Sequence, residues 1–210
     1  MKKLSIIIIL LSCISTLGFS QEKTEFGITT EGSWFMPHKE PELLGRATKN
    51  GFGTGIGAYA SRNLFWRFSA DIGLAYRYKQ MQQQYEINSE TDSDGFGMPN
   101  WQWDKLPMHY VVVPVNLKLL LSKNFFVKGG IESTWLLNYE VVNEKPEFNW
   151  TVGFGSQKHK LKWSLNYIKG FKEQGFGDKT LKPDGHYKVS INRNNMLQLQ
   201  LSYPIGQLKF

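Results

Sequence analysis

Cysteine is almost absent from this sequence: of 210 residues, only Cys13 is a cysteine. A single cysteine excludes an intrachain disulfide framework. Apolar runs of about 20 residues, which a membrane-spanning helix requires, are also missing. The mean hydropathy is −0.36, yet 14% of the residues are aromatic and 20 are glycines. These features exclude a bundle of membrane helices and favour β-structure with one polar and one apolar face.

The first 20 residues form the one targeting segment of the chain. Two lysines follow the initial Met, an apolar stretch over 6–11 comes next, and small residues stand at Gly18 and Ser20. This is the organisation of a secretory signal peptide. We therefore predict a signal peptide over 1–20, cleaved after Ser20, and a single domain over 21–210. Removal of the signal peptide takes away its two lysines and lowers the net charge from +7 to +5.

Cys13 leaves a second interpretation of this segment open. Residues 10–13 loosely resemble a lipoprotein cleavage box, in which the cysteine would be lipidated. That box would lie unusually early, and apolar residues continue behind it over 14–19. Cleavage after Ser20 is therefore the preferred interpretation.

Period-two alternation of apolar and polar residues begins after the signal peptide and recurs to the C-terminus. In the clearest case, seven alternate residues from Trp66 to Tyr78 carry no charge. Four of the seven residues from Arg67 to Lys79 that interleave with them are charged. No segment of useful length has a helical period. We predict eight strands, over 24–35, 51–61, 66–79, 108–121, 125–138, 148–156, 161–171 and 197–203, the last with a parity that extends back to 187.

The predicted connections alternate in length. Arg62 and Asn63 are interpreted as a tight turn, and the connections after the fourth and sixth strands are similarly short. The other connections are long, and short turns opposite long loops are typical of outer-membrane barrels. An even number of strands then places both chain ends on the short-turn side, in the periplasm. The predicted long loops are 36–50, 80–106, 139–147 and 172–186.

The fold that these strands require follows from hydrogen bonding in lipid. Every backbone N–H and C=O group in hydrocarbon needs a protein partner, so a spanning sheet must close on itself. We predict an all-β fold, an eight-stranded antiparallel up-and-down transmembrane β-barrel. A soluble barrel or sandwich also alternates, with its apolar face inside. Here the opposite face is too charged and glycine-rich to be the surface of a soluble protein.

The inward face carries charges of both signs. An eight-stranded barrel is just wide enough for its side chains to fill the interior. We predict a hydrogen-bonded ion-pair network that plugs the lumen without a continuous channel, with glycines of the second strand making room for long Arg and Lys side chains. Its members are Glu25, Glu31, Arg67, Asp71, Arg77, Lys118, Lys128, Glu132 and Lys162.

The outward aromatic residues cluster near the ends of the predicted strands. Two girdles of aromatic rings at head-group depth are expected of a membrane barrel. Those predicted for the long-loop side are Trp34, Tyr76, Tyr78, Trp135, Trp150 and Phe171. Those predicted for the short-turn side are Trp66, Phe125, Phe154, Trp163 and Tyr203.

The signal peptide, the eight alternating segments and the closing stretch 195–203 together resemble the porin-like outer-membrane β-barrel domain family, the small OmpA- and OmpX-type barrels. The segment 113–118, Val-Pro-Val-Asn-Leu-Lys, is similar to that family's Pro-containing fourth strand. The resemblance covers the whole mature chain. It implies an integral outer-membrane protein of a Gram-negative cell envelope.

The C-terminus departs from the family pattern. Such barrels often end in a Phe that the outer-membrane barrel assembly machinery reads, and Phe210 is the last residue. However, Leu208 and Phe210 have the opposite parity to Leu201 and Tyr203. Either a bulge lies at Pro204 or the tail lies beyond the strand.

Catalytic and cofactor signals are weak. The four histidines have no metal-ligand spacing, and the Gly-Phe-Gly segments precede no helix that could bind phosphate, so we predict no metal and no cofactor. Some outer-membrane barrels are lipid A hydrolases or acyltransferases with a Ser–His pair. His109 and Ser133 are the candidates here, but both are predicted to face outward without a third, orienting group. We predict no enzyme activity.

The basic balance of an exported chain fits anionic lipid head groups or lipopolysaccharide phosphates better than nucleic acid. Loop 80–106, acidic and aromatic, is a candidate to bind a partner protein, which the sequence does not identify, or to cover the barrel mouth. Loop 172–186, which is basic, is a candidate to contact lipopolysaccharide phosphates. For both loops an ordinary solvated loop is the favoured alternative. We predict a non-enzymatic barrel for surface interaction or envelope structure. A narrow pore for small solutes and a lipid A-modifying enzyme are the alternatives.

Overall fold

The computed structural model describes residues 23–36, 48–87, 100–138, 146–174, 179–181, 187–189 and 192–208. These residues form ten strands: β1 (Thr24–Phe35), β2 (Thr48–Phe65), β3 (Phe68–Ile87), β4 (Asn100–Leu120), β5 (Phe125–Leu136), β6 (Glu147–Ser156), β7 (Lys162–Gln174), β8 (Lys179–Leu181), β9 (Tyr187–Val189) and β10 (Asn192–Leu208). Within these ranges no helix is long and apolar enough to cross a membrane. The predicted signal peptide, residues 1–20, lies outside the described residues.

Eight of the strands close into one barrel. Their order around the barrel is β1-β10-β7-β6-β5-β4-β3-β2, every neighbouring pair is antiparallel, and β1 pairs with β10 to complete the circle. Strands β8 and β9 form a separate two-stranded sheet. The predicted all-β, eight-stranded antiparallel barrel is therefore confirmed.

The alternation in the sequence becomes the two faces of the barrel wall. On β3, Ile72 and Leu74 are 54% and 59% exposed, whereas Arg77 on the other face is 2% exposed. Strand β1 repeats the pattern, with its buried and exposed residues alternating from Gly27 to Phe35. Apolar side chains thus cover the outside of the barrel, and most polar ones point into it.

A bulge at the closing seam resolves the parity of the C-terminal stretch. Phe26 pairs with Gly206, but Gly27 pairs with Pro204, so Ile205 is an extra residue in β10. The bulge restores Leu208 to the outward face, where it lies opposite Thr24. Of the two alternatives that the sequence left open, the bulge is correct. Phe210 lies outside the described residues.

The turn between β2 and β3 is not at Arg62 and Asn63, as the sequence predicted. Strand β2 continues to Phe65, and the two-residue turn consists of Trp66 and Arg67. Arg62 and Asn63 are polar, which suggested a turn, but both still belong to β2. Arg62 lies on the outward face opposite Ala70, and the register shift that accommodates one extra residue comes only after Asn63. Trp66 and Arg67 therefore belong to the turn and not to β3.

Several predicted loops are shorter than expected. The β3–β4 ladder continues to the pair Ile87 and Asn100, so the prediction of a loop is wrong for 80–87 and 100–106. Residues 88–99 lie outside the described residues. Loop 172–186 is likewise interrupted, because β7 reaches Gln174 and β8 covers Lys179–Leu181.

The other predicted boundaries move by smaller amounts. Strand β2 begins at Thr48 and β6 at Glu147, which shortens the loops predicted over 36–50 and 139–147. Most of both loops lies outside the described residues. The predicted extension of the last strand is correct back to Asn192, where β10 begins, and wrong for 187–189, which form β9 and pair with β8.

Candidate functional site: the barrel lumen

Three ionisable residues meet in the middle of the lumen. Arg77 of β3 donates hydrogen bonds from Nη1 and Nη2 to the two carboxylate oxygens of Glu132 on β5, at 2.8 and 3.1 Å. The same guanidinium donates to Glu31 of β1, from Nε to Oε1 and from Nη2 to Oε2, the latter at 3.3 Å. All three residues are buried. Such two-pronged charge-assisted pairs are stronger than neutral hydrogen bonds and fix the geometry.

Neutral side chains complete the surroundings of the two carboxylates. Gln198 Nε2 donates to Glu31 Oε2 at 2.6 Å, and Asn149 Nδ2 donates to Glu132 Oε1 at 3.1 Å. Gly55, opposite Glu31 on β2, leaves the space that the Glu31 side chain occupies, because a Cβ atom there would lie 2.8 Å from Glu31 Oε1. The β2 glycines were predicted to make room for Arg and Lys side chains. Gly55 instead makes room for a glutamate, whereas a Cβ atom at Gly53 would lie 3.2 Å from Cγ of Lys79.

Two further ion pairs lie between this bridge and the short-turn end. Lys118 pairs with Asp71, and Lys162 pairs with Glu25 at 2.5 Å. Tyr59 also donates to Glu25, at 2.9 Å. A third lysine, Lys128, donates to the amide oxygen of Gln200 at 2.8 Å and lies directly opposite Lys118.

Arg67 does not join the lumen residues, and its prediction as a network member is wrong. It is exposed in the β2–β3 turn, with its guanidinium 5.2 Å from the centre of the Trp66 ring. The third strand was predicted to begin at Trp66, whereas β3 begins at Phe68. The prediction therefore counted Arg67 among the inward-facing residues of that strand.

An apolar layer, which was not predicted from the sequence, fills the lumen around Arg77 and towards the long-strand end, the end of the barrel opposite the short turns. Lys79 is buried against it, with its ammonium group 4.7 Å from the Tyr110 ring centre and 5.4 Å from that of Phe35. The alternation along the strands could have revealed this apolar layer, because its residues occupy inward-facing positions. The apolar layer consists of Phe35, Ala75, Met81, Met108, Tyr110, Val112, Ile168 and Met196.

A cavity of about 50 Å³ remains in the lumen. Its walls combine ionisable and polar side chains such as Asp71, Lys118 and Gln200 with apolar ones such as Val112 and Phe126. A space of this size accommodates water molecules, which need roughly 10–15 Å³ each on this measure.

The outward aromatic residues lie where alternation placed them, except that Trp66 belongs to a turn rather than to a strand. Tyr78 and Trp150 are partly buried against neighbouring side chains. Ring contacts join several of these residues across strands, including Phe154 with Trp163 at 6.0 Å between ring centres. The exposed strand members are Trp34, Tyr76, Trp135 and Phe171 towards the long-strand end and Phe125, Phe154, Trp163 and Tyr203 towards the short-turn end.

His109 and Ser133 do not form a catalytic pair. Ser133 lies opposite Val113, whereas the carbonyl of His109 accepts a hydrogen bond from the backbone N–H of Leu137. Four residues along the ladder separate the two side chains, roughly 13 Å, beyond hydrogen-bond reach. His109 instead contacts the Tyr76 hydroxyl through Nδ1. The described part of the chain also holds no cluster of three or more His, Cys, Asp or Glu residues that could bind a metal ion.

The fold and the lumen define a class of protein: small closed antiparallel β-barrels with an apolar outside and a polar inside. This is the architecture that the resemblance to OmpA- and OmpX-type barrels implied. No protein-family model and no curated protein matches the sequence.

Two solved structures are similar to this chain. One is the Yersinia pestis outer membrane protein Ail in a phospholipid bilayer nanodisc, with 12% identity, coverage of 89% of this chain and 100% of that chain, and a TM-score of 0.38. The other is the translocator domain of the autotransporter NalP from Neisseria meningitidis, with 11% identity, coverage of 96% and 95%, and a TM-score of 0.24. At these TM-scores, the assignment of a function rests on the geometry of the chain itself.

Proposed function

We propose that this chain is an integral β-barrel of the bacterial outer membrane. The observation that carries the proposal is the exposed apolar outer face. Ile28, Ile56, Ile72, Leu74 and Ile131, from four different strands, are all about half exposed or more. Monomeric soluble proteins rarely expose contiguous apolar patches larger than a few hundred Å². Lipid acyl chains are the solvent in which such a face is stable.

The route to that membrane is part of the same proposal. The signal peptide would export the chain, and the barrel assembly machinery would insert it with the short turns in the periplasm. Its immediate partners would be outer-membrane lipids, including lipopolysaccharide on the long-strand side. Cell fractionation with gel mobility before and after heating tests this: we expect an outer-membrane band whose mobility changes on heating. A soluble band with unchanged mobility would contradict the proposal.

The barrel is proposed to be closed and non-enzymatic. Two barriers support closure: the Arg77 bridge between two carboxylates, and the apolar layer, whose three methionines lie on the long-strand side of the bridge. In planar bilayers, purified protein should give no steady single-channel conductance. Protein-free bilayers and bilayers with heat-denatured protein are the controls. A reproducible unitary conductance from the folded protein would contradict the proposal of a closed lumen.

A narrow pore is the second candidate, and the cavity beside the ion pairs is the observation that favours it. The cavity lies beside the ion pairs, so movement of the apolar layer would extend it towards the long-strand end. Uptake of small solutes into vesicles separates the candidates: the closed barrel predicts uptake equal to that of empty vesicles.

The long-strand end is the proposed surface for interaction or envelope structure. Strands β3 and β4 remain paired for about ten residues beyond the last β4–β5 partners, Tyr110 and Leu136. Lys49 of β2 lies 4.0 Å from the ring centre of Trp103 and supports this ribbon from one side. Deletion of 82–105 should leave heat-modifiable mobility intact while it removes any surface binding. Loss of folding would show a structural role instead.

A further inference from the structure

The short-turn end of the barrel is positively charged on its outside. The acidic residues among the described residues of this end are Glu25 and Asp71. Both face the lumen, where they form ion pairs with Lys162 and Lys118. Apart from Lys118, Lys128 and Lys162, which face the lumen, the basic residues of this end stand in the turns, on the outward face or, for Lys23, just before β1. All of these but Arg62 are exposed. This basic rim consists of Lys23, Arg62, Arg67, Lys123, Lys158 and Lys160.

Exposed apolar side chains alternate with these cations. In the β2–β3 turn, Phe65 and Trp66 are 64% and 81% exposed, and Leu64 beside them is also exposed. Leu121 and Leu161 stand exposed in the other two short turns. Solvated turns are ordinarily polar. Apolar tips beside cations are instead typical of segments that lie at a membrane–water interface.

The conformation of Trp66 supports the same interpretation. Its φ angle is 51°, in the left-handed region that a bulky residue rarely adopts and that glycine adopts freely. The turn holds a tryptophan there with the Arg67 guanidinium near the ring. Backbone strain of this kind is found most often where a side chain has a function. An amphipathic ring beside a cation matches the depth of the lipid head groups.

We propose that the basic rim, with its apolar turn tips, binds the head groups of anionic phospholipids in the leaflet at the short-turn end. The guanidinium groups of Arg62 and Arg67 match phosphate geometry, and the lysines add attraction to the anionic surface. The Leu64, Phe65 and Trp66 side chains lie in the interfacial layer. This inference rests on the proposed membrane insertion. It adds a basic lipid contact at the end of the barrel opposite loop 172–186, whose contact with lipopolysaccharide stays a prediction.

The test compares lipid head groups around the full-length folded protein in vesicles. Traces of spin-labelled phosphatidylglycerol and phosphatidylcholine report, by electron paramagnetic resonance, which lipid is preferentially immobilised at the barrel. The rim variant combines Arg62→Gln, Arg67→Gln and Lys158→Gln. The control variant removes three cations from the other end through Lys49→Gln, Lys105→Gln and Lys169→Gln. Heat-modifiable mobility verifies that each variant is folded.

We expect phosphatidylglycerol to be preferred about twofold or more by the natural sequence and by the control variant. The preference should fall towards equality in the rim variant and in 0.5 M salt. Equal preference in the natural sequence and the rim variant would overturn the proposal, as would an equal fall in the control variant. If the triple variant does not fold, Arg67→Gln alone, on an exposed turn, carries the test. A chain that does not insert would immobilise neither lipid, which distinguishes failure of the proposed function.

Discussion

Glu31 and Glu132 face each other across the barrel, four strands apart in either direction, and a single guanidinium joins them. Arg77 reaches both carboxylates from β3, midway between β1 and β5. The bridge therefore ties opposite walls of the barrel together through its centre. Removal of one partner from such a buried group leaves an uncompensated charge, which costs more than the intact bridge contributes.

Replacement of the central cation should be strongly destabilising. Arg77→Met leaves Glu31 and Glu132 buried without their cation, so we expect a loss of about 3–5 kcal/mol in the free energy of unfolding. Urea titration of the vesicle-inserted protein measures it. Adding Glu31→Gln and Glu132→Gln to the same chain should restore much of the loss, because no charge then remains unpaired. If Arg77→Met alone changes the free energy of unfolding by less than about 0.5 kcal/mol, the result would contradict a stabilising bridge.

Gly55 and Gly32 offer a matched pair of glycine substitutions. Gly55→Ala would push a methyl group against Glu31 and disturb the bridge, at a cost of about 1–3 kcal/mol. Gly32→Ala meets no atom within 4 Å and should leave stability unchanged or raise it by up to about 1 kcal/mol. The same urea titration compares them, and equal effects would show that the lumen is not tightly packed at Gly55.

Charge on the outer face should be tolerated only at its edge. Leu74→Arg places a cation in the middle of the lipid-facing wall, at an expected cost of about 2–4 kcal/mol. Leu208→Arg, at the end of β10, should cost about 0–1 kcal/mol. Both side chains are more than half exposed, so differences in packing do not confuse the comparison. Equal costs in vesicles would argue against a buried hydrocarbon layer at Leu74.

The apolar layer should be the barrier to ions above the bridge. Serine at Met81, Met108 and Met196 removes its three flexible methionines and makes the layer polar, so we expect ion leakage through planar bilayers to rise. The matched control places serine at Leu64, Leu121 and Leu161 in the turns, where no leakage should follow. Leakage that is the same in both variants would assign closure of the lumen to the ion pairs alone.

Alternation specified much of the wall correctly. Strand β1 spans Thr24–Phe35 as predicted, and Ile72 and Leu74 face outward. The period-two pattern is strong here because each face of the barrel meets a different medium, so a slip of one residue would reverse every side chain. The contacts between Glu31, Arg77 and Glu132 required the strand order as well, since neither alternation nor spacing relates β1 to β5.

The sequence misled where local chemistry and long-range pairing disagreed. Arg62 and Asn63 read as a turn, but cross-strand pairing carries β2 on to Phe65 and leaves Trp66 in a left-handed turn. Lys79 and Met81 were assigned to the end of a strand or to a loop, whereas β3 continues past both and buries them. The apolar layer escaped notice because its members come from five strands and contact each other only when the barrel closes.

The most direct test of the account measures the surroundings of successive residues on β3. Residues 71–75 are replaced by cysteine one at a time in the mature chain, and each cysteine carries a nitroxide label. The label reports how accessible its position is, in vesicles, to apolar oxygen and to a polar nickel complex. The account predicts high oxygen and low nickel accessibility at 72 and 74, with a low oxygen response at 71, 73 and 75. The reverse pattern, or uniform access of the nickel complex to 72 and 74, would contradict it.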